Sequence, residues 1–352
     1  MPVQEHHSLP KIEPGQPIDD ATVWKASDFP EGRAWAKPLE PVMLDEIDAA
    51  LRQVKTRGIA AKDIRAADFP LDKTIPFLAD LYRDIECGPG FALLSGFPVD
   101  AYDEEDLRLA YCGVGSHFGT ITRQNREGEF ILEVMDKGKA YSQQSRGYHS
   151  TAHLDFHNDG TNTVVLLCTS TAAEGGLSRL VSGTALYNEI LREHPEYLDV
   201  LHRGFHHHLR DQGKAGDAAV TPYRTPVFGF FHSLFHMAYA GPSILYCENE
   251  GIEISDHEKA ALDYLVSVVE RPDMQLSMEL RKGDMQFVNN YLLLHSRTEY
   301  RDTPEQQRRL LRLWLDDENS ARLGPGKMDW YLPELSRFTQ LGGLDALSPA
   351  AE

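Results

Sequence analysis

From residue 130 onward the chain is cut into short apolar runs, and this pattern restricts the fold more than any other feature. The runs are Phe130–Met135, Val164–Cys168, Val227–Phe231, Gln275–Leu280, Met285–Val288, Leu292–Leu294 and Leu310–Leu315. Each has the length of a strand and is bounded by turn formers or polar residues. Strands this short bury their apolar faces by packing sheet on sheet, so the pattern points to a β-sandwich or jelly roll.

Ahead of these runs the period changes. Leu44, Ile47, Leu51 and Val54 recur on one helical face after Pro41, a residue suited to a first helical turn. Residues 76–86 and 103–112 also read as helices, with Phe91–Phe97 between them as a buried strand entered through Gly88-Pro89-Gly90. Ser255-Asp256-His257-Glu258 forms a capping box that opens a helix stopped by Pro272. A further helix is expected from Thr184 to Glu193, ahead of Pro195. The expected class is therefore α+β, with flanking helices and a helical insertion. Residues 1–20 are polar and proline-bearing and read as a flexible tail; residues 21–352 read as a single domain with a helical N-terminal region.

The bulk numbers restrict the partners. A formal charge of −19 without a strongly basic segment argues against nucleic acid and anionic membrane surfaces as partners. No apolar run approaches the ~20 residues needed to span a bilayer. The first residues lack the apolar stretch of a signal peptide. Cys87, Cys112, Cys168 and Cys247 form no C-x-x-C pair, which speaks against a zinc knuckle or a disulfide framework and for a reducing, cytoplasmic setting. A homo-oligomer is compatible with all of this.

Chemistry concentrates late in the chain. Phe156-His157-Asn158-Asp159 reads F-H-x-D, and Tyr291-Leu292-Leu293-Leu294-His295 ends an apolar run on a histidine. In an extended segment residues i and i+2 share a face, so His157 and Asp159 can reach one metal. With His295 they make two nitrogens and a carboxylate, the ligand set of a facial triad that holds Fe(II) and leaves its other side open for co-substrate and O₂. A second copy, His153-Leu154-Asp155, has the same spacing. Proximity to the Val164 strand favours His157/Asp159, because a strand holds a ligand more rigidly than a loop. Arg308, Arg309 and Arg312 follow His295 in or beside the apolar stretch Leu310–Leu315. A guanidinium there needs a carboxylate partner, and a dicarboxylate co-substrate would supply one. In a strand Arg309, Leu311 and Leu313 face one way, and Leu310 and Arg312 the other. Asp136–His149, with Lys137, Lys139, Tyr141 and Arg146, could form a polar lid or a solvated loop. The glycine-rich Gly113–Gly119 follows a helix rather than a strand, which excludes a dinucleotide site.

These pieces resemble, in order and spacing, the taurine dioxygenase-like superfamily of Fe(II)/2-oxoglutarate oxygenases, closest to its γ-butyrobetaine hydroxylase-like branch. The resemblance runs from about Gly88 to Leu315. It is carried by Gly90–Gly96, the F-H-x-D motif, Gly175-Gly176-Leu177-Ser178, Tyr187-Asn188-Glu189, Gly283–Asn290, His295-Ser296-Arg297-Thr298 and Arg309–Leu315. It implies a double-stranded β-helix core, with His157, Asp159 and His295 as iron ligands. It puts Arg309 on the distal carboxylate of 2-oxoglutarate, with Arg312 as the alternative and Ser178 assisting. It places Leu313 where taurine dioxygenase has an arginine for its sulfonate, which speaks against a sulfonate substrate. The implied activity is oxidation of an unactivated C–H bond of a small polar metabolite, by hydroxylation or desaturation, with release of succinate and CO₂. The rivals are a non-catalytic metal- or ligand-binding β-barrel and a zinc hydrolase with the same ligands.

Overall fold

In the computed structural model, which describes residues 9, 11–30, 32–125, 127–138, 147–209 and 218–322, helices pack against two sheets. The strands are β1 (Lys37–Pro38), β2 (Phe91–Ser95), β3 (Thr120–Thr122), β4 (Ile131–Val134), β5 (Leu154–His157), β6 (Thr163–Ser170), β7 (Glu174–Gly175), β8 (Ser178–Ser182), β9 (Phe228–Phe231), β10 (Leu234–Met237), β11 (Leu276–Met278), β12 (Met285–Asn289), β13 (Leu293–Arg297), β14 (Tyr300–Arg301) and β15 (Arg309–Asp316). The helices are α1 (Pro41–Arg57), α2 (Ile75–Glu86), α3 (Glu104–Gly115), α4 (Gly183–Glu193), α5 (Leu198–Arg203), α6 (Gly241–Leu245) and α7 (Asp256–Val269). The larger sheet runs β1-β2-β12-β6-β15-β3, with β4 also on β15; the smaller runs β11-β8-β13-β5. No described helix is long and apolar enough to cross a membrane.

The local causes are visible at the element ends. Pro41 opens α1 and Gly58 closes it in the left-handed conformation, at φ 64°. Asp103 caps α3 by accepting from the Asp106 amide. Ser255 and Glu258 form the reciprocal box that opens α7. The glycines Gly113 and Gly115 lie inside α3. A Cβ at Gly113 would stand 2.3 Å from the Phe69 ring, so this glycine permits close packing rather than phosphate binding.

Strand β15 divides the molecule. Its odd residues Leu311, Leu313 and Leu315 join a core with Ile47, Leu81 and Tyr111, between the larger sheet and helices α1–α3. Its even residue Leu310 belongs to a second core, with Leu180, Leu265 and Leu294 from the smaller sheet and α7. Each buried leucine contributes roughly 2 kcal/mol relative to exposure, so the alternation fixes which face of β15 can carry chemistry.

One strand is added to the expected set, and one expectation changes. Strand β8 had no clear apolar signature, because Ser178, Arg179 and Ser182 are buried in it. The tail expected over residues 1–20 is packed in its latter half. Ile12 and Ile18 are in the core, the Gly15 amide donates to the Tyr187 hydroxyl, and Asn188 grips the Ile18 backbone. Residues 1–8 lie outside the described residues.

Candidate metal centre

Strand β5 ends on His157, and its antiparallel neighbour β13 carries His295 directly opposite. The register brings the two imidazoles together, with ring centroids 4.4 Å apart and their planes tilted by 53°. Asp159 follows two residues later. One ligand atom from each of the three lies within 4.8 Å of the others. His157 Nε2 is 3.9 Å from Asp159 Oδ1, and His295 Nε2 is 3.8 Å from Oδ2. The competing pair, His153 and Asp155, is exposed and outside this cluster.

The donor set fits a divalent metal. His157 Nδ1 lies 2.8 Å from the Asp155 carbonyl oxygen. A carbonyl only accepts, so Nδ1 carries the proton and Nε2 keeps its lone pair. Burial pushes the pKa of His295 below its usual value, with Asp159 opposing the shift and Arg312 adding to it. A neutral imidazole is the form that ligates metal.

Asn158, between the two motif ligands, is a buried clip. Its amide donates to the Asn290 and Leu293 carbonyls, 2.7 Å each, and its oxygen accepts from the Tyr239 amide at 2.7 Å. It thereby ties the His157–Asp159 turn to the chain leading into His295. Asp159 Oδ2 accepts from Arg312 Nη1 at 2.9 Å and Trp314 Nε1 at 3.1 Å.

A pocket opens beside the cluster. Val134, Leu154, Val164, Leu166, Val288 and Leu310 form its apolar walls, and Ser178, Gln286, Ser296, Arg297, Arg308 and Arg312 its polar lining. Ser178 donates to Gln286 Oε1 at 3.0 Å. Arg308 is 5% exposed. Burial, then repulsion from Arg297, pushes its pKa down to about 10. Its Nη1 is buried without a hydrogen-bond partner among the described residues. It lies flush on Gly176, a left-handed position at φ 72° where a Cβ would stand 3.0 Å from Arg308 Nε. An uncompensated buried cation costs several kcal/mol, so this position calls for an anion.

The expectation for Arg309 is corrected. Arg309 sits on the helix-facing side of β15, where its guanidinium bonds Glu104 at 2.6 and 3.0 Å and Glu133 at 2.6 and 3.2 Å. It does not line the pocket. The arginines that do, Arg308 and Arg312, are four residues apart and share the even face. Leu313 is likewise on the far face, in the core with Leu311, so the objection to a sulfonate drawn from it falls. Residues 139–146 of the possible lid lie outside the described residues.

Comparison with known proteins agrees with this geometry. Residues 55–314 match the model of the "Taurine catabolism dioxygenase TauD, TfdA family". The chain belongs to this family. FR-33289 synthase of Streptomyces rubellomurinus is 29% identical over 320 residues, covering 87% of this chain and 92% of that protein. The taurine hydroxylase-like protein SAT17 of Stachybotrys chartarum is 26% identical, covering 88% and 82%. Among solved structures, asparagine oxygenase with Fe(II), 3-hydroxyasparagine and succinate shares the fold at TM-score 0.63 and 17% identity, over 80% of this chain and 93% of that one. OrfP with Fe and α-ketoglutaric acid does so at 0.60 and 14%, over 80% and 94%. The TauD/TfdA protein described here is an Fe(II)- and 2-oxoglutarate-dependent dioxygenase, and neither rival reading is favoured.

Proposed function

We propose that His157, Asp159 and His295 hold the iron, and that Arg308, assisted by Ser178, binds the distal carboxylate of 2-oxoglutarate. The observation that carries the second assignment is the buried Arg308 guanidinium in the pocket wall, with Nη1 unbonded among the described residues. A carboxylate there restores the charge and hydrogen bonds that burial removed. With iron bound, the centre supplies O₂ activation coupled to decarboxylation of the co-substrate.

The chain's own residues bind, orient and exclude water. His157 presents Nε2 because Asp155 holds its Nδ1 proton. Val164, Leu166, Val288 and Leu310 keep the pocket dry, which strengthens the pairing of Arg308 with an anion. The two sheets, with β5, β8 and β13 facing β6, β12 and β15, support reading the core as a double-stranded β-helix. The motifs Tyr187-Asn188-Glu189 and His295-Ser296-Arg297-Thr298 support placement near the γ-butyrobetaine hydroxylase-like branch. A small polar substrate is in keeping with the solved relatives, asparagine oxygenase with 3-hydroxyasparagine and OrfP with 3-hydroxy-L-Arg. The test is anaerobic addition of Fe(II) and 2-oxoglutarate to the purified protein. A weak visible charge-transfer band is expected, absent in His157→Ala and His295→Ala. A band that survives both substitutions refutes the ligand assignment.

A further inference from the structure

We propose that Gln124 is a positioning residue for the metal centre, acting through Arg312 on Asp159; this rests on the ligand assignment above. Gln124 follows β3, is fully buried and does not line the pocket. Its amide grips Arg312 at both ends. Nε2 donates to the Arg312 carbonyl at 2.8 Å and to the Phe130 carbonyl at 2.9 Å, and Oε1 accepts from Arg312 Nε at 2.8 Å. These partners fix the amide orientation, since carbonyls only accept and Nε only donates.

Gripped in this way, the guanidinium directs Nη1 toward Asp159. Its Nη1 meets Oδ2 at 2.9 Å, and its Cζ lies 5.2 Å from the Trp314 ring centroid, whose Nε1 bonds the same oxygen. Two donors on Oδ2 draw electron density from that oxygen and fix the rotation of the carboxylate. With the rotation fixed, Oδ1 stays 3.9 Å from His157 Nε2 and Oδ2 3.8 Å from His295 Nε2, so the carboxylate is held toward the position between the two ligand nitrogens. Gln124 thus sets the orientation of the Asp159 carboxylate, from outside both the ligand set and the pocket.

The test uses Co(II), which reports ligand geometry through its d–d spectrum without turnover. In Gln124→Met, Co(II) affinity falls by about 10-fold or more, the range for loss of a group that orients a ligand, and the d–d bands shift. Arg312→Lys keeps the cation but cannot make the Nε contact, so it shows the same loss and covers the case that Gln124→Met does not fold. The double variant Gln124→Met/Arg312→Met binds Co(II) no more weakly than Arg312→Met alone, because both act through one contact. A merely structural role predicts a lower Tm of the metal-free protein with unchanged Co(II) affinity and spectrum in the folded fraction, and that result, or additivity in the double variant, overturns the proposal. Wild-type Co(II) binding in Asp159→Ala refutes the ligand assignment itself, and the inference with it.

Discussion

Arg308→Met separates the two arginine assignments. The substitution keeps the length of the side chain and removes the buried charge. In the free protein Arg308 carries a penalty: burial pulls its pKa down to about 10, well below the ordinary guanidinium value. Holding the cation in place therefore costs roughly 3 kcal/mol. Removing the charge releases this penalty, so metal-free Arg308→Met is expected to melt no lower than wild type. The co-substrate complex responds in the opposite sense. Losing one partner of a buried, charge-assisted pair costs roughly 2–5 kcal/mol, or roughly 30-fold to several-thousand-fold in 2-oxoglutarate affinity. Titrating 2-oxoglutarate into the anaerobic Fe(II) protein and following the charge-transfer band measures this directly. Arg309→Ala is the control. Its guanidinium is 24% exposed and paired with Glu104 and Glu133, so its loss is expected to change stability by about 1 kcal/mol and leave 2-oxoglutarate binding unchanged. Near-normal 2-oxoglutarate affinity in Arg308→Met, with collapse in Arg309→Ala, would refute the reasoning.

Other outcomes follow from the same geometry. His157→Ala and His295→Ala lose iron and turnover with the fold intact by circular dichroism, whereas His153→Ala keeps both; the reverse pattern would move the centre to the other motif copy. Ser178→Ala weakens 2-oxoglutarate binding only several-fold, in line with the loss of one neutral hydrogen bond; a loss as large as that from Arg308→Met counts against the division of roles. On the proposed ligand set Asp159 takes the position a halide would need, so mass spectrometry with excess chloride is expected to show no chlorinated product from the wild type. Glu86, buried beside Asp317, has its pKa raised to about 7 by burial and then by that neighbour. The folded state therefore holds a proton that the unfolded state releases at the ordinary carboxyl pKa of roughly 4.3. Stability contributed by this group is full at acid pH and falls as pH rises toward 7, by roughly 3 kcal/mol at most. Glu86→Gln should flatten the Tm profile between pH 5 and 8, and an unchanged slope would exclude Glu86 as its source.

Much of the fold was legible because short apolar runs and capping residues carry it. The seven strand runs and the helices at Pro41, Ser255 and Thr184 all appear, with ends moved by a few residues. Strand β8 escaped because three of its five buried residues, Ser178, Arg179 and Ser182, are polar, and their hydrogen bonds become visible only in three dimensions. The histidines and the carboxylate were legible as types at the right spacing. The choice between the two H-x-D copies needed the register that sets His157 opposite His295. Asn158 and Gln124 carried no signal, since a buried amide in a turn looks like any polar loop residue.

The misplacement of the co-substrate arginine has a specific physical origin. Strand parity already separates Arg309 from Leu310 and Arg312, but it cannot say which face turns toward His295. Leucines lie on both faces, so hydrophobicity does not break the tie. What breaks it is the distribution of compensating charge. Glu104 on α3 and Glu133 on β4 meet Arg309 on the helix-facing side. On the other side Arg312 meets Asp159, while Arg308 retains a buried Nη1 that has no hydrogen-bond partner among the described residues. A structural arginine is neutralised within the fold, whereas one that binds an anionic co-substrate must leave its charge to be matched on binding. On the proposed assignment, Arg308 is set apart from Arg309 by its incomplete pairing, a property that resides in the partners and not in the strand sequence.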